Sequence, residues 1–293
     1  MSFDTRAWVS RHYASRMQRT RPPGRPTVSS QDGPHPTAAA PHRRPHAPLV
    51  SKILRHGRSV LHRWVEGTRF GTITSVRTHE PVASLTFDDG PHPHWTPRVL
   101  DVLEEHGAKA TFFVVGEHVD AHPSIVRRVR DAGHTIGNHT HRHPSFPLVS
   151  SARRRQELRD CARSLAAHAD ATTMLFRPPY LDQDIPSRYD AWKLGFDVVG
   201  CSVHADDWLS RSADDMADDL TQRARAGDVI MLHDAIYGQP SDPGRASMLS
   251  ALGAFLERRT DLRFVTIPSL LTMGEPVRTP GFKRPGQPET RGA

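Results

Sequence analysis

Two adjacent carboxylates, Asp88 and Asp89, and two histidines four residues apart, His139 and His143, are the residues of this chain best suited by type and spacing to do chemistry. The carboxylates end an apolar run, Val82-Ala83-Ser84-Leu85-Thr86-Phe87, that reads as a buried strand. Histidines four apart can share one face of a helical turn, with His141 on another face, Asn138 as an N-cap and Pro144 as a stop. One carboxylate and two imidazoles make three ligands with open positions, the donor set of a catalytic zinc site. The second carboxylate is then left to act as a base. The plain alternative is a pair of aspartates that caps a helix or makes an Asx turn. That reading leaves the paired histidines without a role.

Such residues need a frame that gathers them. From residue 82 onward, short apolar runs alternate with longer helical patterns. Strands are expected at 82–87, 110–115, 134–137, 173–177, 197–202, 228–232 and 263–266, and helices at 96–106, 124–132, 151–169, 187–194, 213–226 and 247–259. Strands alternating with helices imply parallel strands joined by crossovers, hence an α/β layer or barrel. Asp88 and Asp89 follow the first expected strand, His139 and His143 the third, Arg177 to Tyr180 the fourth, Asp206 and Asp207 the fifth, and His233 the sixth. In a parallel barrel those ends share one rim, where active sites occur.

Five motifs stand in order: Thr86-Phe87-Asp88-Asp89-Gly90-Pro91, His139-Thr140-His141-Arg142-His143, Arg177-Pro178-Pro179-Tyr180, Asp207-Trp208 and Leu232-His233. Through them, residues 80–272 or so resemble the polysaccharide deacetylases of carbohydrate esterase family 4, whose shared unit is the NodB-homology domain. The resemblance implies a distorted (β/α) barrel and a hydrolase that removes N-acetyl groups from N-acetylglucosamine-containing poly- or oligosaccharides. It implies that Asp89, His139 and His143 bind a divalent metal, Zn²⁺ by preference and Co²⁺ or another ion as alternatives, with Asp88 as general base. His233 matches the catalytic acid, which amide hydrolysis needs because an amine leaves poorly unless protonated. Asp207 matches the carboxylate that orients this histidine, and Arg177 the cation that holds Asp88. The Tyr180 backbone N–H is placed by resemblance in the oxyanion hole, and Trp208 and Leu232 against an acetyl methyl. Leu232 reads equally well as a core residue. Two positions depart from the family pattern: Leu181, where Gly is frequent, and His204, at the first position of a longer Asp-x-x-Asp-Trp motif.

Charge and composition divide the rest. Of the formal +7, residues 1–50 carry +6 and 51–78 carry +5, leaving −4 over 79–293. The basicity therefore belongs to the front of the chain and not to the presumed chemistry. Residues 1–48 form a basic Pro/Arg/His-rich arm expected to be largely disordered, because it cannot bury enough apolar surface to offset its chain entropy. That arm is either a solvated tail or a contact for an anionic polymer or membrane surface; no specific nucleic acid is expected. Residues 49–78 read as an amphipathic helical lead-in, 79–274 as the catalytic domain and 275–293 as a flexible tail. Neither a secretory signal nor a run near the ~20 apolar residues of a membrane span is visible, so a cytoplasmic protein is expected. Cys161 and Cys201 make no disulfide framework. The rival readings are an amidase or esterase acting on a non-sugar metabolite and a non-catalytic carbohydrate-binding protein. The second would be expected to lack Asp88, a ligand or His233.

Overall fold

The computed structural model describes residues 68–209, 211–239 and 244–280. The strands among them are β1 (Thr72–Arg77), β2 (Val82–Asp88), β3 (Ala110–Val114), β4 (Thr135–Asn138), β5 (Leu175–Phe176), β6 (Asp197–Val198), β7 (Val203–His204), β8 (Val229–His233), β9 (Arg263–Phe264) and β10 (Glu275–Thr279). The helices are α1 (Trp95–Glu105), α2 (Gly116–Ala121), α3 (Pro123–Asp131), α4 (Ser151–Ala169), α5 (Ile185–Lys193), α6 (Ala213–Arg223), α7 (Gly244–Arg258) and α8 (Ile267–Leu271).

Seven strands form a curled parallel half-barrel in the order β6-β5-β4-β3-β2-β8-β7, and β9 pairs with the start of β2. The interior strand β2 is buried along its whole length, as expected for a parallel strand covered on both faces. Its side chains alternate with period two. Ala83, Leu85 and Phe87 join the large core covered by α1, α3, α4, α6 and α7. Val82 joins a second core with Ile73, Phe113, Val199, Val229, Ile267 and Leu270. The same period sends Thr86 and Asp88 to the side of Val82, inside the curl.

The open side of the sheet is bridged by a ribbon. β1 and β10 pair antiparallel, and β1 touches both flanks of the gap. The Ile73 carbonyl accepts from the Gly200 N–H at 2.7 Å, and the Val76 N–H donates to the Gly227 carbonyl at 2.8 Å. Gly227 is required there: its φ is +84°, and a Cβ would stand 1.9 Å from the Val76 oxygen. The ribbon corrects two expectations. Residues 72–77, read as the end of a helical lead-in, are a strand, because Thr72, Ile73, Thr74 and Val76 are β-branched and pair with β10. Residues 275–279, read as tail, are its partner. Residues 1–67, with the basic arm and the rest of the lead-in, and 281–293 lie outside the described residues.

The strand expected at 197–202 is only Asp197–Val198, and a second short strand, Val203–His204, follows it. Val199 turns to bridge Ile73, and Val203–His204 pairs with β8 on the other flank. Asp207 therefore follows β7. Among the described residues, no helix is long and apolar enough to cross a membrane.

Candidate active site

Asp88 and Asp89 close β2, and alternation alone would send the second to the helix side of the sheet. Asp89 escapes this by taking φ 72°, a left-handed conformation that aspartate tolerates better than most residues. Its carboxylate then meets the residues that follow β4. Asp89 Oδ1 lies 3.2 Å from His139 Nε2 and 3.0 Å from His143 Nε2, and all three residues are buried.

The His139–His143 segment is not the helical turn expected. Thr140 and His143 have φ of 71° and 53°. Asn138 ends the strand, and its side chain accepts from the Thr140 N–H at 2.8 Å, while Thr140 Oγ1 accepts from the His143 N–H at 2.9 Å. The buried Glu157 of α4 takes the N–H groups of His141 and Arg142 on one oxygen, at 2.9 and 2.7 Å. The two imidazoles converge because the loop doubles back. His141 stays out of the set and lies over Gly116, where a Cβ would be 2.4 Å from its Nδ1.

The donor chemistry fits a divalent cation. His139 Nδ1 lies 2.7 Å from the Arg177 carbonyl, which can only accept, so this nitrogen carries a proton and Nε2 is the atom left to meet a cation. Burial outweighs the Asp89 carboxylate and lowers the His143 pKa below its ordinary value, which favours the neutral ring. Asp89 Oδ1, buried and with no hydrogen-bond partner among the described residues, thus lies against the Nε2 atoms of both rings, and the three residues bring their ligand atoms within 4.8 Å of one another. Three acceptors converging on one point repel one another unless a cation lies between them.

Beside this set, Arg177 fills the inside of the curl with no exposed surface. Its Nη1 donates to Asp88 Oδ1 and to Thr86 Oγ1, each at 2.7 Å, and its Nη2 donates to the Gly200 carbonyl at 2.7 Å. The guanidinium lies 4.3 Å from the centre of the Phe113 ring. Asp88 is thereby fixed in one orientation.

Asp88 and His233 are register partners on the parallel strands β2 and β8. His233 Nδ1 lies 2.9 Å from Asp207 Oδ1, and the His233 N–H donates to Asp207 Oδ2 at 2.9 Å. Behind them Arg245, buried in the first turn of α7, donates to Asp207 Oδ2 at 2.6 Å and to the His233 carbonyl at 2.7 Å, and also reaches the Asp207 carbonyl. Burial opposes charge on His233, but Asp207 outweighs it and raises the imidazole above its ordinary 6.5. Burial likewise opposes charge on Asp207, yet His233 and Arg245 hold it far below the usual carboxylate range.

The remaining expected residues divide. Tyr180 stands in the short turn Pro179–Leu181 with φ 60°, its ring edge-on to His143 at 4.6 Å. Trp208 stands edge-on to His233 at 5.4 Å. Leu232 has no exposed surface and belongs to the large core with Phe87, Val203 and Ala205, a placement that serves packing. Leu181 takes φ 52°, which explains why glycine suits this position. His204 and Asp206 pair at 3.0 Å, apart from the Asp207–His233 contact.

Sequence reasoning missed Arg245, Glu157 and Tyr237. Tyr237 follows β8, stacks on His143 with centroids 4.8 Å apart, and donates its backbone N–H to Asp89 Oδ2 at 2.9 Å. No spacing marks Arg245 or Tyr237. Glu157 could have been suspected as an apolar-side carboxylate on an amphipathic helix.

Comparison with known proteins agrees with this geometry. The polysaccharide deacetylase family model matches residues 75–199. A peptidoglycan-N-acetylglucosamine deacetylase of Bacillus cereus is 34% identical over 209 residues, covering 71% of this chain and 74% of its own length. A chitooligosaccharide deacetylase of Rhizobium leguminosarum bv. trifolii is 33% identical over 207 residues, covering 70% and 89%. Among solved structures, a peptidoglycan N-acetylglucosamine deacetylase in complex with 4-naphthalen-1-yl-N-oxidanyl-benzamide matches with a TM-score of 0.66 at 31% identity, over 73% of this chain and 97% of that one. A family 4 carbohydrate esterase from Streptomyces lividans in complex with acetate matches with a TM-score of 0.59 at 29% identity, over 69% and 100%. The chain belongs to the polysaccharide deacetylases, carbohydrate esterase family 4.

Proposed function

We propose that this protein is a metal-dependent N-deacetylase that hydrolyses the acetamido group of N-acetylglucosamine units in an oligo- or polysaccharide, releasing acetate. One observation carries the reading: a buried Asp-His-His donor set lies beside Asp88 and His233, which are register partners on adjacent strands. The relatives named for peptidoglycan and chitooligosaccharide deacetylation support the substrate class.

Asp89, His139 and His143 would hold a divalent cation, and the mixed oxygen and nitrogen donors suit Zn²⁺ or Co²⁺. When bound, the cation supplies Lewis acidity toward water and the acetamido oxygen. Asp88 takes the proton of the attacking water, and Arg177 holds that carboxylate aimed. The Tyr180 backbone N–H holds the carbonyl oxygen as negative charge gathers on it. His233 gives a proton to the departing nitrogen as the C–N bond breaks, and Asp207 keeps the imidazole oriented and its pKa raised. Trp208 borders the space beside His233 and supplies an apolar wall for the acetyl methyl. Water has then added to the acyl carbon, and acetate and a free amine leave.

The test is acetate release from short N-acetylglucosamine oligomers by the purified protein, with and without chelator and with Zn²⁺ or Co²⁺ added back. Release that stops with chelator and returns with metal supports the reading. A chelator-insensitive rate, or metal-loaded protein that leaves the oligomers intact, overturns it.

A further inference from the structure

The two histidines of the donor set are held in different ways. His139 is oriented by a hydrogen bond, its Nδ1 on the Arg177 carbonyl at 2.7 Å. This is the usual device: the second nitrogen of a ligating imidazole is fixed by an acceptor, which sets tautomer and ring direction. His143 has no such bond. Its Nδ1 is buried and without a hydrogen-bond partner among the described residues. Packing must therefore set its direction, and two aromatic rings supply it. Tyr180 stands edge-on at 4.6 Å, with the planes at 69°. Tyr237 lies nearly parallel at 4.8 Å and 27°.

Tyr237 is itself tied down at several points. Its hydroxyl donates to Glu117 Oε1 at 2.5 Å, and its ring also stacks on His118 at 5.6 Å and 30°. His118 Nδ1 in turn lies 2.8 Å from the Asp89 carbonyl. The backbone N–H of Tyr237 takes Asp89 Oδ2 at 2.9 Å. That bond fixes the carboxylate rotamer so that Oδ1 faces the two imidazoles. One residue thus sets the direction of two of the three donors, one by its ring and the other by its amide.

We propose that Tyr237 is a positioning residue for the divalent cation, clamping His143 against Tyr180 while its amide aims Asp89. The proposal rests on Asp89, His139 and His143 being the cation's ligands, as inferred above. Ligand-orienting partners of this kind typically change metal affinity by roughly 10–100-fold when removed. Tyr237→Leu, which removes the ring and keeps the amide, is expected to weaken Zn²⁺ binding by about 10-fold or more on that scale. Tyr237→Phe keeps the ring and loses only the bond to Glu117, so its loss of affinity is smaller.

The experiment is Zn²⁺ competition against a chromogenic chelator, with the visible spectrum of the Co²⁺-loaded protein as a second readout. Wild type, Tyr237→Leu, Tyr237→Phe and His143→Ala are compared as full-length chains. Circular dichroism of the metal-free forms checks that each is folded. A weakened Leu variant with an altered Co²⁺ spectrum, beside a Phe variant nearer wild type, supports the clamp. Wild-type affinity and spectrum in the Leu variant overturn it while leaving the donor set intact. So does a Phe variant as weak as His143→Ala, since the ring would then not be what matters. A wild type that binds neither ion, or binds as well after His143→Ala, overturns the ligand assignment and the clamp with it.

Discussion

The site has two sides built from the same parts. On one, Asp88 meets Arg177; on the other, Asp207 meets Arg245. All four residues are at most 2% exposed, and each pair closes at 2.6–2.7 Å. The difference is what else touches the carboxylate. Asp207 has an imidazole on its other oxygen, and Asp88 stands beside the donor set with no imidazole bonded to it among the described residues. A buried carboxylate–arginine pair therefore has no fixed proton role. Alone it makes an aimed acceptor, a base. With a histidine interposed, the same charge raises the imidazole and makes a proton donor. Arg245 gives the acid side a permanent counter-charge, so Asp207 does not have to take the histidine's proton.

The sharpest way to break this comparison is to remove each proton carrier and change the leaving group. Asp88→Asn keeps the shape and removes the base, and kcat is expected to fall by about 10³–10⁴ on both N-acetyl amides and aryl acetates. His233→Ala should cost about 10²–10³ on the amide, whose amine must be protonated to leave. On an aryl acetate, whose phenolate leaves unaided, the His233→Ala loss should shrink to within about 10-fold. Rates for both substrates and both variants decide it. Equal losses for His233→Ala on amide and ester would show that this histidine is not a leaving-group acid, and the two sides would lose their division of labour.

Much of this arrangement was legible in the sequence because strand ends carry it. An apolar run ending in Asp-Asp, or in Leu-His, fixes both the element and the level of the polar residue on it. Parallel connection then puts those levels on one rim. The residues behind the site were not legible. Arg245 is one of 39 basic residues, in a Gly-Arg-Ala-Ser stretch with no distinguishing spacing, and only the packing of α7 carries its guanidinium to Asp207. Tyr237 acts through a ring contact and a backbone N–H, and neither leaves a pattern in sequence. The His139–His143 loop was misread because four-residue spacing suits a helix as well as a doubled-back loop. Asn138 and Thr140, which cap their own backbone, were the available sign of the second. The ribbon of β1 and β10 was hidden by its charged flanks, although Thr72 to Val76 is β-branched enough to announce a strand.

Asp234, buried beside the site with no arginine partner among the described residues, sharpens the comparison. Asp234 directly follows His233 on the chain; Thr96 Oγ1 donates to its Oδ2, and its Oδ1 has no partner among the described residues. Burial, only partly offset by the Thr96 bond, pushes its carboxyl from 3.8 up to about 7. The folded chain then keeps a proton that the unfolded chain releases above 3.8. The stability tied to this proton is full below that value, declines as pH rises, and is gone once pH passes about 7. Asp234→Asn has no proton to lose. Its stability relative to wild type should therefore climb between about pH 4.5 and pH 8, by a few kcal/mol in all, since each pH unit between the two carboxyl values is worth roughly 1.4 kcal/mol. Urea unfolding of both proteins in chelator at several pH values measures the difference. Parallel curves would mean that Asp234 carries its charge in the fold as Asp207 does. An arginine partner would then not be what separates Asp88 and Asp207 from their neighbour, and the comparison would have to rest on the histidine alone.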